Sequence, residues 1–231
     1  MERIQHVLEE WSKTLPTQVS VADMLSRCPI AHKWRAPYRS AVIRESLAWR
    51  VYDLGRQILL LMQSGHVMGA RILLRSTLET AALLMYLNQK TEAVVAGSLS
   101  YQDFEQLTKN LLAGSKNEST PAAAVNILTV LDKAEGSHAG IVAIHKDLSE
   151  TAHPNFDGVV FAYSSVDPQT HTTTFVNRAS ERFGARLEPA VMFVLLAFEY
   201  QYSRVWPRSM EALEAWLRAN DSQLEKAHAA R

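Results

Sequence analysis

Apolar positions recur along most of this chain at three- and four-residue intervals, the spacing of helices that bury one face. Ile4, Val7, Leu8 and Trp11 form such a stripe between Arg3 and Leu15, and Pro16 ends it. Ser20 is placed to cap a second short helix running through Arg27. After a loop with two prolines (Cys28 to Pro37), Ser40 to Gln63 carries a broad apolar face from Val42 to Leu61, with Arg44, Glu45, Arg50, Asp53 and Arg56 opposite. Ser64-Gly65 breaks the pattern. His66 to Asn88 is then apolar nearly all round, which predicts a central helix, paired antiparallel with its predecessor through the short connection. Shorter helices are predicted over Thr91 to Ser98, Tyr101 to Leu112 and Pro121 to Ala134, with Pro121 in a first turn. Ile141 to Ala152 follows as another helix, and Pro154 disfavours helical geometry at His153.

Beyond Gly158 the period changes. Val159 to Tyr163 and Thr172 to Val176 are rich in β-branched and aromatic residues and flank Asp167-Pro168, which predicts a small hairpin. Glu188 or Pro189 is expected to open or kink the last core helix, Val191 to Val205, and Pro207 to stop it. Ser209 to Ala230 reads as a polar helix that covers the bundle or meets another chain. The predicted fold is an all-α helical bundle with a small β-hairpin insert. Its organisation would be an N-terminal helical extension and linker over 1–36, a bundle core over 37–206 with the insert at about 158–177, and a C-terminal helix over 207–231.

Composition narrows the function classes. Lys+Arg and Asp+Glu are both 24, so no global charge draws the chain to nucleic acid or anionic membrane. A hydrophobic fraction of 47% suffices for a sizeable core. The single cysteine, Cys28, excludes an internal disulfide and fits a reducing, cytoplasmic setting. The first residues do not read as a signal peptide, and the longest apolar run, Ala190 to Phe198, is too short for a bilayer, so no membrane partner is expected.

The densest polar chemistry lies in Ser149-Glu150-Thr151-Ala152-His153-Pro154-Asn155-Phe156-Asp157-Gly158. His153 sits at a helix C-terminus, where the dipole favours a cation. Lys146, Glu150 and His153 share one helical face. Read plainly, the imidazole caps the last carbonyls and the remainder is a solvated stripe. Arg71, Arg75 and Glu79 stand at successive i+4 steps on the apolar central helix, and charges there need partners. They form either a structural ion pair at the bundle edge or a polar row facing the Lys146–Glu150–His153 stripe. Lys33, Trp34, Arg35, Tyr38 and Arg39 combine charge and aromatic surface of the kind that binds single-stranded nucleic acid, or form a linker whose Trp docks on the core. Glu150-Thr-Ala-His153 has the Glu-x-x-His spacing of di-iron bundles. The other matches, Glu135 to His138 and Glu225 to His228, fall in a turn and at a frayed end. No metal site and no cofactor are therefore expected.

The order of these features resembles a known pattern. A central helix with Gly69-Ala70-Arg71-Ile72-Leu73-Leu74-Arg75-Ser76-Thr77-Leu78-Glu79-Thr80 precedes Leu148-Ser149-Glu150-Thr151-Ala152-His153-Pro154-Asn155 and a β-prone insert. From about Tyr38 to Val205 this is similar to an uncharacterised family of bacterial helical proteins, itself similar to the HEPN superfamily and to abortive-infection proteins. The resemblance implies an all-α bundle, frequent homo-oligomers and, in active members, a metal-independent RNase using an Arg and a His about a turn apart. His153 can take the His position. No Arg lies upstream on its helix; Lys146 is the nearest basic residue on that face, and Arg75 is the guanidinium on the central helix. The resemblance thus implies a stress or phage-defence type protein that cleaves or binds RNA or nucleotide. In it His153 would be the acid/base, Arg75 or Lys146 the phosphate ligand with Arg71 nearby, and Glu79, Glu150 and Asn155 the orienting groups. The alternative is a non-catalytic helical dimer or partner-binding module in which the same residues are structural.

Overall fold

The computed structural model describes residues 1–31 and 33–229. His32 of the proline-bounded loop and Ala230 at the end of the expected last helix therefore lie outside the described residues. The helices are α1 (Glu2–Thr14), α2 (Val21–Arg27), α3 (Arg35–Gln63), α4 (Val67–Val95), α5 (Tyr101–Ala113), α6 (Ile127–Glu135), α7 (Ile141–Ala152), α8 (Ala179–Tyr200) and α9 (Trp206–Ala229). Gly114–Ser115 (β1) pairs in parallel with Ala122–Ala123 (β2), and Ser164–Asp167 (β3) pairs antiparallel with Thr172–Phe175 (β4). The fold class is the expected one, an all-α bundle with a small β insert.

Several boundaries differ from the sequence pattern, each for a local reason. Arg35 begins α3 two residues before Pro37, because a proline in a first turn loses no hydrogen bond. Thr91 to Ser98 is no separate helix: α4 continues unbroken to Val95. Pro121 does not open a helix. Ala122 and Ala123 are strand, and α6 starts after Asn126, whose side chain accepts the Leu128 N–H at 2.9 Å. The first half of the expected hairpin, Val159 to Tyr163, lies largely in a π-helical turn, Asp157–Phe161, so the strand begins at Ser164. Pro189 lies inside α8, which starts at Ala179. Pro207 does not stop the chain's helical course. A π-helical turn, Gln201–Val205, leads directly into α9, and Pro207 sits in its first turn.

The chain forms two compact units, each drawn from three stretches. The first comprises Met1–Leu15, Trp49–Ala82 and Leu131–Phe198. Its core is built from Ile4 and Leu8 of α1, Val51 and Ile58 of α3, Leu74 and Leu78 of α4, Ile141 and Leu148 of α7, and Leu187, Val191 and Phe198 of α8, all buried. Trp11 packs on Phe198 with ring centroids 5.7 Å apart. Gly55 permits close approach there, since a Cβ at that position would lie 2.9 Å from Leu8 Cδ2.

The second unit comprises Pro16–Ala48, Leu83–Val130 and Glu199–Arg231. Met24, Cys28, Ala31 and Ala41 form an apolar cluster with Val19, Ile30 and Trp206 against it. Trp34 lies edge-on to Tyr101 at 5.7 Å, and Tyr101 stacks on Trp216 at 5.8 Å. Two polar pairs tie this unit together: Arg27 Nη2 and Nε donate to Glu214 Oε1 at 2.6 and 2.9 Å, and Asn88 Nδ2 donates to Gln201 Oε1 at 2.8 Å. Arg44 pairs with Glu45, and its guanidinium lies 3.6 Å from the Tyr202 ring centroid.

Candidate functional site

In the first unit the polar row of α4 faces α7. The i+4 spacing on α4 stacks Arg71, Arg75 and Glu79 one above the other, and α7 presents His145, Asp147, Thr151 and the terminal His153 to them. What happens at each level of the row differs.

Arg71 is 2% exposed. Its Nε donates to Thr151 Oγ1 at 2.9 Å, and its Nη2 donates to the Asp147 backbone oxygen at 2.9 Å and to Asp147 Oδ2 at 2.8 Å. The guanidinium also lies 4.8 Å from the Phe183 ring centroid. Every one of these partners belongs to the fold, so Arg71 pins α4 to α7 and α8.

One turn on, Arg75 and Glu79 are each 26% exposed at the side chain. Arg75 Nε donates to Glu79 Oε1 at 3.1 Å, and His145 Nε2 lies 3.0 Å from the same oxygen. Arg75 Nε also lies 3.4 Å from His145 Nε2. The two nitrogens cannot both serve each other and the carboxylate. With its proton on Nε2, His145 makes Glu79 Oε1 a double acceptor; in the other tautomer Nε2 accepts from Arg75 Nε at 3.4 Å instead. Glu79 and the buried His145 thereby fix the guanidinium's Nε edge.

The other end of the guanidinium meets His153. Arg75 Nη1 lies 3.4 Å from His153 Nε2. A guanidinium has no acceptor, so this is a hydrogen bond only in the tautomer with a bare Nε2. His153 is the C-cap of α7: its backbone N–H donates to Ser149 O at 3.1 Å, its φ of −95° and ψ of 151° leave the helix as Pro154 requires, and its imidazole is exposed. Asn155 Nδ2 donates to Glu150 Oε2 at 2.7 Å on the exposed side of the same turn, and Lys146 is exposed. The structure thus brings Arg75, Glu79 and His153 together, joins Glu150 to Asn155, and turns Arg71 inward.

His145 belongs to the cluster and was not singled out from sequence. It falls in the apolar stripe of Ile141, Ile144 and Leu148, where a histidine is itself the signal: a polar ring on a buried face needs a polar partner, and so does Glu79 on an apolar helix. The arrangement offers a cation held from one side, an imidazole with solvent access on the other, and a carboxylate–imidazole pair behind. Among the described residues, no group of three or more His, Cys, Asp or Glu side chains is arranged to hold a metal ion. Among the described residues, no helix is long and apolar enough to cross a membrane.

No curated protein and no solved structure matches the chain. A family of unknown function, DUF5677, matches residues 45–135, a stretch that includes Arg71, Arg75 and Glu79 but neither His145 nor His153. Over that stretch, which is less than half of its length, the chain is similar to this uncharacterised family.

Proposed function

We propose that the Arg75–Glu79–His145–His153 cluster acts on RNA phosphodiesters, and that the chain is a HEPN-like, cytoplasmic protein of bacterial stress or phage-defence type. The reading is carried by one contact, the 3.4 Å approach of Arg75 Nη1 to the exposed His153 Nε2. It supplies from two helices the Arg and His that active superfamily members take from one. The phosphate of a bound RNA would displace that contact, so that the guanidinium donates to the non-bridging oxygens while Nε2 faces the ribose 2′-hydroxyl. The hydroxyl passes its proton to Nε2 and its oxygen attacks phosphorus. The bond to the 5′ oxygen breaks, that oxygen takes a proton from water, the imidazolium gives its proton to the hydroxide so formed, and a 2′,3′-cyclic phosphate remains. Glu79 and His145 hold Arg75 in place for the charge that develops. Arg71, buried and with Nε and Nη2 held by Thr151 and Asp147, would support α4 rather than touch RNA.

An RNA degradation assay tests this. Cleavage by the wild type should fall by about 100-fold in His153→Ala, and Arg75→Lys should lose most of its activity because an ammonium lacks the planar fork. Cleavage absent from the wild type, or equal in His153→Ala, would sink the enzymatic reading.

A second reading, a non-catalytic dimer, is favoured by one observation. Phe175 is 81% exposed, and Val160, Val166 and Val176 of the same insert are also exposed. If a second copy covers that patch, light scattering will give twice the chain mass for the wild type and a shift toward the single-chain mass for Phe175→Ser.

A further inference from the structure

The second unit holds a groove of about 750 Å³ that plays no part in the chemistry above. Its walls are the start of α3, one face of α5 and the end of α9. Trp34 and Tyr101 form part of its lining, and Arg35, Arg39, Glu105 and Lys109 stand along it. Arg35 and Arg39 are one turn apart on α3, and Glu105 and Lys109 one turn apart on α5, so cations face the groove from both helices. The volume suits a ligand of nucleotide size.

The charges here are unevenly balanced. Lys33 is already held by Asp221 at 2.6 Å and Glu225 at 2.7 Å. Glu105 Oε1 accepts the backbone N–H of Arg35, the first residue of α3, at 3.2 Å. That carboxylate occupies the place an anion takes at a helix N-terminus. Arg39 Nη1 donates to the Glu105 backbone oxygen at 3.1 Å. Yet among the described residues Arg35, Arg39 and Lys109 form no ion pair, although an acidic partner would reach each at small cost.

A second observation points the same way. Tyr101 is 4% exposed, and its hydroxyl has no hydrogen-bond partner among the described residues. Burial pushes that hydroxyl's pKa far up, and Tyr101 is itself one of the residues that line the groove. A buried hydroxyl left unpaired is destabilising, a penalty that a bound acceptor removes.

We propose that this groove binds a ligand carrying a chain of phosphates, with Arg35, Arg39 and Lys109 on its oxygens and the Tyr101 hydroxyl donating to it. The site stands apart from the proposed action at Arg75 and does not rest on it. Glu105 stands in the same lining and repels the ligand's negative charge.

Calorimetric titration of the full chain with tripolyphosphate, ATP and orthophosphate tests the assignment. Saturable binding of tripolyphosphate, ATP or both is expected, with orthophosphate much weaker. Arg39→Ala should weaken it at least tenfold. Glu105→Gln should tighten it severalfold, a change no loss of fold produces. Tyr101→Phe should weaken it severalfold while the melting temperature stays level or rises, since the removed hydroxyl satisfies nothing in the free protein. Binding of ATP alone assigns a nucleotide, and equal binding of both assigns the phosphate chain itself; either supports the site. No saturable heat, affinity unmoved by Tyr101→Phe and Glu105→Gln, or orthophosphate binding as tight as tripolyphosphate overturns it.

Discussion

Arg71 and Arg75 are the same residue type on successive turns of one helix, and their surroundings assign them opposite tasks. Arg71 spends its donors on Thr151 and Asp147 in the interior, while Arg75 keeps an edge at the surface. Arg71→Ala should therefore cost about 3 kcal/mol, because it removes the buried bond to Thr151 and the ties to Asp147 and leaves a void under Phe183. Arg75→Ala, with its quarter-exposed pair, should cost less than about 1 kcal/mol. His153→Ala should cost less than about 0.5 kcal/mol, since the bond that caps α7 runs from its backbone N–H to Ser149 O and survives the substitution. Urea melts of the three variants check the order, and a large loss in His153→Ala would mark the imidazole as structural. The row of charges was readable from i+4 spacing, and the position of His153 from Pro154. Which arginine is buried was not readable, because both lie on one stripe and only the depth of α7 and α8 against it separates them. His145 escaped notice because the apolar stripe around it reads as core.

At the scale of elements, α7 illustrates a cap supplied from outside its own helix. Its N-cap is Gly140 at φ 98°, which has no side chain to accept the first amides. Glu135, the last residue of α6, accepts the N–H groups of Gly140 and Val142, each at 2.8 Å. These bonds hold its carboxyl below the ordinary glutamate range. A depressed carboxyl contributes stability that is whole above its unfolded-state pKa and fades as pH falls through the lowered one. Urea midpoints measured from about pH 6 down to pH 3 should thus decline less steeply in Glu135→Gln than in the wild type. Parallel curves would mean the cap carries no proton linkage. Glu135 was visible only as part of a Glu-x-x-His coincidence; its real partner is the left-handed glycine five residues on, and no periodicity encodes that. Apart from Thr91 to Ser98, which in part continues α4, helix existence was legible from apolar spacing. Boundaries failed where a proline is tolerated in a first turn, as at Pro37 and Pro207, or where a β-prone run winds into a π-helical turn, as at Val159 and Val160.

For the whole molecule, each compact unit draws on three separated stretches, an arrangement that composition along the chain does not reveal because no linker or charge shift marks the joins. On the proposed reading, the balance of 24 basic and 24 acidic side chains limits how RNA would be held. With no net field, affinity has to come from local contacts rather than from an extended basic surface. In the first unit, Arg75 together with the exposed Lys146 and Arg186 limits direct phosphate neutralisation to about three groups on the proposed reading. Single strands release about 0.7 counterion per phosphate neutralised, so log affinity against log salt should have a slope no steeper than about −2. Fluorescence anisotropy of a labelled single-stranded RNA between low and physiological salt measures it. Arg75→Ala should flatten the slope by about 0.7, because one neutralised phosphate is lost. A slope near −5, or one that Arg75→Ala leaves unchanged, would mean that RNA lies along some other basic surface and that the Arg75–His153 contact serves the fold alone.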